Sequence, residues 1–124
     1  MAVSAEQIRA VVEEYVRLVA IGTADQIVAL YAEDATVEDP VGSEVRRGRE
    51  AIRAFYAPLE AMAQETRLLA VRIAGSEAAF HFEILSRVDG AAYTLSPIDH
   101  MAFDEDGQIA SMRAFWAEGD LVVG

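Results

Sequence analysis

Three polar side chains of this chain share rows with apolar residues, an unusual position for groups that carry or donate protons. In the stretch TVEDPVG, read as an extended strand, Asp39 is in phase with two valines while its neighbour Glu38 faces the other way. A second alternating row, with Asp99 as its only charged member, comprises Leu95, Pro97, Asp99, Met101 and Phe103. Tyr15 lies on a stripe of helical spacing formed by Ile8, Val11, Val12 and Val19.

Two carboxyl groups and a phenol that face one apolar space could move a proton. Burying an ionised carboxylate without a partner costs several kcal/mol, and none of the three rows contains an arginine or a lysine. The less costly solution is a raised pKa, which leaves one acid neutral and able to donate a hydrogen bond. The set then supplies a base, an acid and a second donor, which are the parts needed to move a proton beside a carbonyl.

Each of the three residues also has a simpler structural explanation. An aspartate before a proline, as at Asp39, commonly initiates a turn. Asp99 could pair with His100 or be rotated outward by a strand bulge. Tyr15 could be a core residue whose hydroxyl finds a nearby carbonyl. The coincidence of all three in one short chain favours a shared site.

The N-terminal half has the pattern of three helices. Ser4 and Gln7 form a capping box, and Gly22 is expected to end the first helix. Thr23 and Gln26 repeat the capping pattern, so the stretch ADQIVALYAED is predicted to be a short second helix that Tyr31 closes.

A hairpin and a third helix are expected next. The stretch SEVRRG is predicted to return beside TVEDPVG as the second strand of a small hairpin. The third helix is predicted over REAIRAFYAPLEAM, with its last turns loosened by Pro58.

From Glu65 onward the apolar pattern changes to a period of two. Turn signals divide this part into four predicted strands: Thr66–Ala74, Glu77–Asp89, Ala92–Phe103 and Gln108–Glu118. Helices followed by a meander indicate an α+β fold. We expect a single domain over residues 1–124, with a curved antiparallel β-sheet wrapped around an apolar pocket that the three helices close.

Composition excludes several classes of function. Ten basic residues stand against 21 acidic ones, a net charge of −11, which argues against binding nucleic acid or an anionic membrane surface. The absence of cysteine excludes disulfides, thiolate metal sites and cysteine nucleophiles. The charged N-terminus is unlike a secretory signal, and no apolar run is long enough to span a bilayer, so we expect a cytoplasmic protein.

Four stretches carry a resemblance to a known family. They are VVEEYVRLVAIGTADQIVALYAEDATVEDPVGSE, AIRAFYA, PIDHMAF and SMRAFWAE, spread in order over nearly the whole chain. In these stretches the chain resembles the ketosteroid isomerases of the NTF2-like superfamily, whose cone-shaped fold agrees with the predicted one. ATVEDPVGSE and PIDH are the most specific segments.

The resemblance implies a role for each of the three polar residues. Asp39 would be the general base that carries a proton from C4 to C6 of a 3-oxo-Δ5-steroid. Tyr15 and a protonated Asp99 would donate hydrogen bonds to the C3 oxygen of the dienolate, in a family that is an established example of pKa tuning. The product would be the 3-oxo-Δ4-steroid, and no metal or organic cofactor is implied.

The resemblance also implies secondary roles. Tyr31 and Tyr56 match positions whose hydroxyls link to the oxyanion tyrosine in some members, although core packing is an equally good explanation of both. An apolar lining is expected for the steroid, and its candidate residues are Trp116, Phe55, Phe82, Val88, Met112 and Met101. A homodimer is expected, formed through an outer sheet face with Leu69, Val71, Ile73, Ile109 and Phe115.

Two other functions remain open. One is a different NTF2-like enzyme: an epoxide hydrolase would want an Asp-Arg-Asp set, a dehydratase would use His81 or His100, and a cyclase is the third possibility. Both histidines are out of phase with the apolar rows, although Arg72, Arg87 and Arg113 leave a pocket arginine possible. The other is a non-catalytic binding module, which would have no need of two acids in an apolar pocket.

Overall fold

The fold is described from a computed structural model that covers residues 2–124. The helices are α1 (Ala5–Ile21), α2 (Ala24–Val28) and α3 (Arg49–Tyr56). The strands are β1 (Tyr31–Glu38), β2 (Arg46–Arg47), β3 (Ala63–Ala74), β4 (Glu77–Val88), β5 (Ala91–Leu95), β6 (Ile98–Phe103), β7 (Ile109–Phe115) and β8 (Val122–Val123).

One sheet organises the molecule. Its strand order is β2-β1-β7-β6-β4-β5-β8, and β3 lies along the other edge of β4. The predicted α+β cone is confirmed, with one correction to the antiparallel sheet: β1 pairs with β7 in parallel, so the sheet is mixed. The apolar stripe of α1 is buried, except that Val11 is half-buried, and this helix packs on β3.

Helix α1 has the ends that the sequence predicts. The Ser4 hydroxyl accepts from the Gln7 amide, and the Gln7 side chain accepts in return from the Ser4 amide. Gly22 is the C-cap, and its amide donates to the carbonyl of Leu18 at 2.7 Å. These caps fix the length and position of the helix that carries Tyr15.

The second helix is shorter than predicted, and Tyr31 does not close it. Helix α2 ends at Val28, and Tyr31 is the first residue of β1. The following residues include good helix formers, but parallel pairing with β7 outweighs that preference. The Ile109 amide, for example, donates to the carbonyl of Leu30 at 2.9 Å.

Both remaining elements predicted for the N-terminal half are present, but the return strand and the third α-helix are shorter than predicted. Strand β2 runs antiparallel to β1, with Thr36 opposite Arg47. Helix α3 ends at Tyr56, and residues 57–61 continue as a 3₁₀ helix with Pro58 in its first turn.

The third predicted long strand is in fact two strands. Strand β5 ends at Leu95 and β6 begins at Ile98, because Pro97 has no amide proton with which to continue the ladder. The Pro97 carbonyl still accepts from the Phe82 amide at 3.3 Å. The break lets one long strand, β4, pair with β6 along its first half and with β5 along its second. The tail adds β8, which the sequence did not reveal.

Two bulges correct the predicted outer face. An extra residue at Leu69 shifts the phase of β3, so Val71 is buried and Ile73 half-buried, while Leu69 itself is exposed. A second register shift, at Ala110 in β7, turns Ile109 into the core. Five residues were expected on the dimer face, and the assignment of Val71, Ile73 and Ile109 to that face is therefore wrong. Leu69 and Phe115 are exposed there.

The end of α1 offers a test of packing. A Cβ at Gly22 would lie 2.7 Å from Leu18 Cδ2 and 2.9 Å from the Leu18 carbonyl oxygen. Because Leu18 is buried, it has little freedom to move aside. We expect Gly22→Ala to lower the free energy of unfolding by about 1–3 kcal/mol, measured by urea denaturation.

Gly119→Ala is the matched control, since a Cβ there would meet no atom of the described residues within 4 Å. Equal stabilities of the two variants would contradict the close contact at Gly22.

Candidate active site

The concave face of the sheet and the helices enclose a cavity of about 400 Å³. Most of its lining is apolar, and the polar lining side chains are Tyr15, Asp39, Tyr56, Gln64, Ser86, Tyr93 and Asp99. Within residues 2–124, no arginine or histidine lines it. The cavity therefore brings together the three polar residues, Tyr15, Asp39 and Asp99, that the sequence pattern indicated, in surroundings with little to neutralise a charge.

Asp99 is the most deeply buried acid. It lies in the middle of the sheet, between Phe80 on β4 and Ala114 on β7, and is 1% exposed. Its Oδ1 atom finds no hydrogen-bond partner among the described residues. His100 does not pair with it and instead contacts Glu77 at 2.6 Å.

Burial raises the pKa of Asp99 well above its ordinary value, and the nearby charge of Asp39 raises it further. A protonated carboxyl group with a free oxygen can donate a hydrogen bond to a ligand in the cavity.

Asp39 follows directly after β1 and turns into the cavity. Its Oδ1 accepts from the indole Nε1 of Trp116 at 2.7 Å. Burial raises the pKa of Asp39, whereas the Trp116 hydrogen bond and the charge of Arg46 oppose that rise. Asp39 is thus a carboxyl group with a raised pKa and one stabilising donor, as suits a base.

Glu38 faces the opposite way, as alternation predicted. It accepts from the Gly42 amide at 3.0 Å and from Arg113 Nε at 2.9 Å. These two donors lower the pKa of Glu38. The Val41 amide donates to the Ala114 carbonyl at 2.8 Å, so the segment around Asp39 is attached to β7 on both sides.

Three buried tyrosines form a chain of hydroxyl groups. The Tyr56 hydroxyl lies 3.0 Å from that of Tyr15 and 2.7 Å from that of Tyr31. Tyr15 and Tyr56 line the cavity, whereas Tyr31 lies behind them in the core. Burial raises the pKa of all three phenols well above the ordinary value, which keeps them neutral.

The chain leaves one proton for a ligand. Three phenols carry three protons, and two are used in the hydrogen bonds between them. When Tyr31 donates to Tyr56 and Tyr56 to Tyr15, the Tyr15 proton is free to point into the cavity. Edge-to-face contacts with Phe80 and Phe82, at centroid distances of 6.1 and 6.2 Å, hold the Tyr15 ring.

The structure corrects part of the predicted apolar lining. Trp116, Phe55, Phe82 and Val88 line the cavity, but Met101 and Met112 do not. The two methionines are fully buried in the core, opposite each other across β6 and β7. Alternation gave their face correctly, but it carries no information on which levels of a strand reach the cavity.

Sequence reasoning missed other lining residues, among them Gln64, Ser86 and Tyr93. Ser86 could have been found, because it continues the inward row of Phe80 and Phe82 on β4. Gln64 lies in β3 before the predicted start of that strand, so no phase was assigned to it.

A family model described as a SnoaL-like domain matches residues 12–112. The chain belongs to this family. The resemblance seen in the sequence is confirmed by a curated relative: the steroid Delta-isomerase of Nocardioides simplex is 51% identical over 117 residues, covering 94% of this chain and 95% of the relative.

Solved structures support the same fold. The epoxide hydrolase/cyclase-like enzyme SalBIII, of pyran ring formation in the polyether salinomycin, matches with a TM-score of 0.89 at 28% identity, over 96% of this chain and 97% of SalBIII. RV0760c of Mycobacterium tuberculosis also gives a TM-score of 0.89, over 98% and 99% of the two chains. Its 20% identity supports the fold alone.

In the part of the chain that the structure describes, no helix is long and apolar enough to cross a membrane.

The buried acid makes a testable contribution to stability. Because the pKa of Asp99 is raised on folding, the folded chain holds this proton above the unfolded pKa of about 3.9, where the unfolded chain releases it. The contribution of Asp99 to the free energy of unfolding is therefore full below that pH and is lost as the pH rises toward the folded pKa. Asp99→Asn cannot ionise, so its stability relative to the unaltered chain should increase from pH 4 to pH 8.

The measurement is urea denaturation of both proteins at one protein concentration across that pH range. Glu38→Gln is the control with the opposite sign, because the lowered pKa of Glu38 stabilises the folded chain at the higher pH values. A constant difference between Asp99→Asn and the unaltered chain would contradict the raised pKa.

Proposed function

We propose that this chain is a steroid isomerase that moves a carbon–carbon double bond from Δ5 to Δ4 in 3-oxosteroids. The single observation that carries the proposal is the Asp99 carboxyl group, buried without a partner for Oδ1 in the same apolar cavity as Tyr15 and Asp39. The 51% identity to a steroid Delta-isomerase supports the same reaction.

Asp39 starts the proposed reaction as the general base. Its carboxylate takes a proton from C4, and the electron pair of that C–H bond forms the dienolate with its charge on the C3 oxygen. The protonated Asp39 then returns the same proton to C6, which leaves the double bond conjugated with the carbonyl. The steroid regains at C6 the proton that it lost at C4, Asp39 ends as the carboxylate, and no cofactor takes part.

Tyr15 and Asp99 stabilise the dienolate in this scheme. Both are neutral donors, one through the free phenolic proton and one through the carboxylic acid. Donors fixed in a cavity with few polar groups act more strongly on developing charge than donors in water do. The chain from Tyr15 through Tyr56 to Tyr31 lets part of the charge spread over further hydroxyl groups.

The cavity suits a flat apolar molecule. Trp116, Phe55 and Phe82 contribute aromatic surface to its wall, and its volume lies within the range of small-molecule sites. A fused four-ring skeleton with a single reacting carbonyl matches such a lining.

An epoxide hydrolase or cyclase is the alternative that the SalBIII likeness raises. The Asp-Arg-Asp set expected of a hydrolase is absent from the cavity wall, as far as residues 2–124 define it. A dehydratase is disfavoured because His81 and His100 both lie outside the cavity lining. A non-catalytic module would leave the unpartnered Asp99 without an explanation.

A homodimer is part of the proposal. Ile98 and Phe115 are opposite each other on β6 and β7 and are 49% and 45% exposed. Together with the exposed Leu69 they offer apolar surface to an interface on the outer face. The cytoplasm remains the proposed location.

The decisive experiment follows the conjugated enone. With 5-androstene-3,17-dione, the unaltered chain should produce an ultraviolet absorbance increase. Asp39→Asn should lower kcat about 100- to 10,000-fold, because the base is lost while the shape of the side chain is kept.

Glu38→Gln is the matched control, since the neighbouring acid faces away from the cavity. It should retain nearly all activity. No absorbance change over a broad range of 3-oxo-Δ5-steroids would refute the isomerase proposal, and equal losses in the two variants would refute the role of Asp39.

The Trp116 hydrogen bond predicts a shift in the pH profile. Trp116→Phe keeps an aromatic wall but removes the donor that lowers the pKa of Asp39. The pKa of Asp39 should therefore rise, and the acid limb of the kcat/KM profile should move to higher pH. An unchanged limb would show that the indole hydrogen bond does not tune the base.

A further inference from the structure

The cavity contains a second polar group that the proposed reaction does not use. Gln64 on β3 and Ser86 on β4 are directly opposite each other, and both line the cavity. Gln64 Nε2 donates to Ser86 Oγ at 2.9 Å. Ser86 is buried, with 9% of its surface exposed, and Gln64 is half-buried.

This pair has unused hydrogen-bonding capacity. The Gln64 carbonyl oxygen, Oε1, is buried and has no partner among the described residues. Ser86 Oγ is the acceptor in the bond to Gln64, so its own proton remains available to donate. A buried polar atom without a partner is unfavourable, and packing alone does not explain an amide and a hydroxyl in this wall.

The pair lies away from the proton-transfer groups. Asp99 is opposite Phe80 on β4, and Ser86 is six residues further along that strand on the same face. Six residues correspond to about 20 Å of strand backbone, and side chains that converge from a concave sheet are closer together than that. The cavity thus has polar groups at two separate levels, with Phe82 and Ile84 between them.

We propose that Gln64 and Ser86 bind a second oxygen group of the substrate, at the end of the skeleton remote from the reacting carbonyl. This inference rests on the proposed function and names the specificity of the same cavity. A hydroxyl group fits best, because it accepts from Ser86 and donates to Gln64 Oε1. A ketone accepts from Ser86 but leaves Oε1 without a partner, and a skeleton without this oxygen leaves both unpaired.

Binding of three phenolic steroids tests the ranking. The probes are 17β-estradiol, estrone and 17-deoxyestradiol, which share a phenol in place of the dienolate and differ in the oxygen on the five-membered ring. Dissociation constants are measured by titration calorimetry, with quenching of Trp116, the one tryptophan of the sequence, as a second readout. The hydroxyl compound should bind tightest and the deoxy compound about tenfold more weakly, with the ketone between them.

Single variants separate the two contacts. Gln64→Leu should abolish the preference for hydroxyl over ketone but keep the preference of both over the deoxy compound. Ser86→Ala should weaken the binding of both oxygenated compounds and leave that of the deoxy compound unchanged. Gln108→Leu, a glutamine outside the cavity lining, is the matched control and should keep the full ranking.

The outcomes distinguish this inference from the proposed function. The inference would be overturned, even if the enzyme is active, by equal binding of the three probes to the unaltered chain. It would also be overturned if Gln64→Leu and Ser86→Ala both kept the full ranking and the affinities of the unaltered chain. The predicted ranking in a chain without isomerase activity would support the subsite and refute the reaction. Failure of all three phenols to bind would overturn both.

Discussion

The burial of Asp99 is the constraint on which the candidate site depends. A carboxyl group at this depth, with an oxygen left unpartnered and no arginine or histidine among the described lining residues, is far more stable as the neutral acid. The apolar wall that fits a fused-ring ligand therefore also turns an aspartate into a hydrogen-bond donor. Asp39 shares the cavity but has the Trp116 donor, so two identical side chains acquire different proton affinities from their surroundings.

Much of the site could be predicted because it follows from local periodicity. Alternation along the strands put Asp39 and Glu38 on opposite faces and put Asp99 in line with apolar residues. Helical spacing put Tyr15 on the apolar stripe of the first helix. Each inference needs only the direction of a side chain relative to its own backbone. The connection of Tyr15 to Tyr31 through Tyr56 could not be obtained in this way, since α1, β1 and α3 meet only in the folded chain.

The errors share a different physical origin, the pairing of distant segments. Bulges at Leu69 and Ala110 reverse the phase of β3 and β7, and nothing in the local sequence marks them. Tyr31 was assigned to a helix because its parallel partner strand comes more than 70 residues later. Met101 and Met112 have the right face but lie at a level of their strands that is buried in the core and does not reach the cavity, and alternation cannot distinguish levels along a strand.

The attachment of the Asp39 segment to β7 has a consequence for how the site keeps its dimensions. Val41 bonds to the carbonyl of Ala114, and Ala114 is the direct neighbour of Asp99 across the ladder. The backbone next to Asp39 and the backbone of Asp99 therefore lie on opposite sides of β7, and neighbouring strands are about 4.8 Å apart. The hydrogen bonds across β7 set the distance between these two stretches of backbone, and the spacing of hydrogen-bonded strands varies little among proteins. Changes in the loops and helices around the cavity can therefore alter which molecules enter and leave the spacing of the two backbones unchanged.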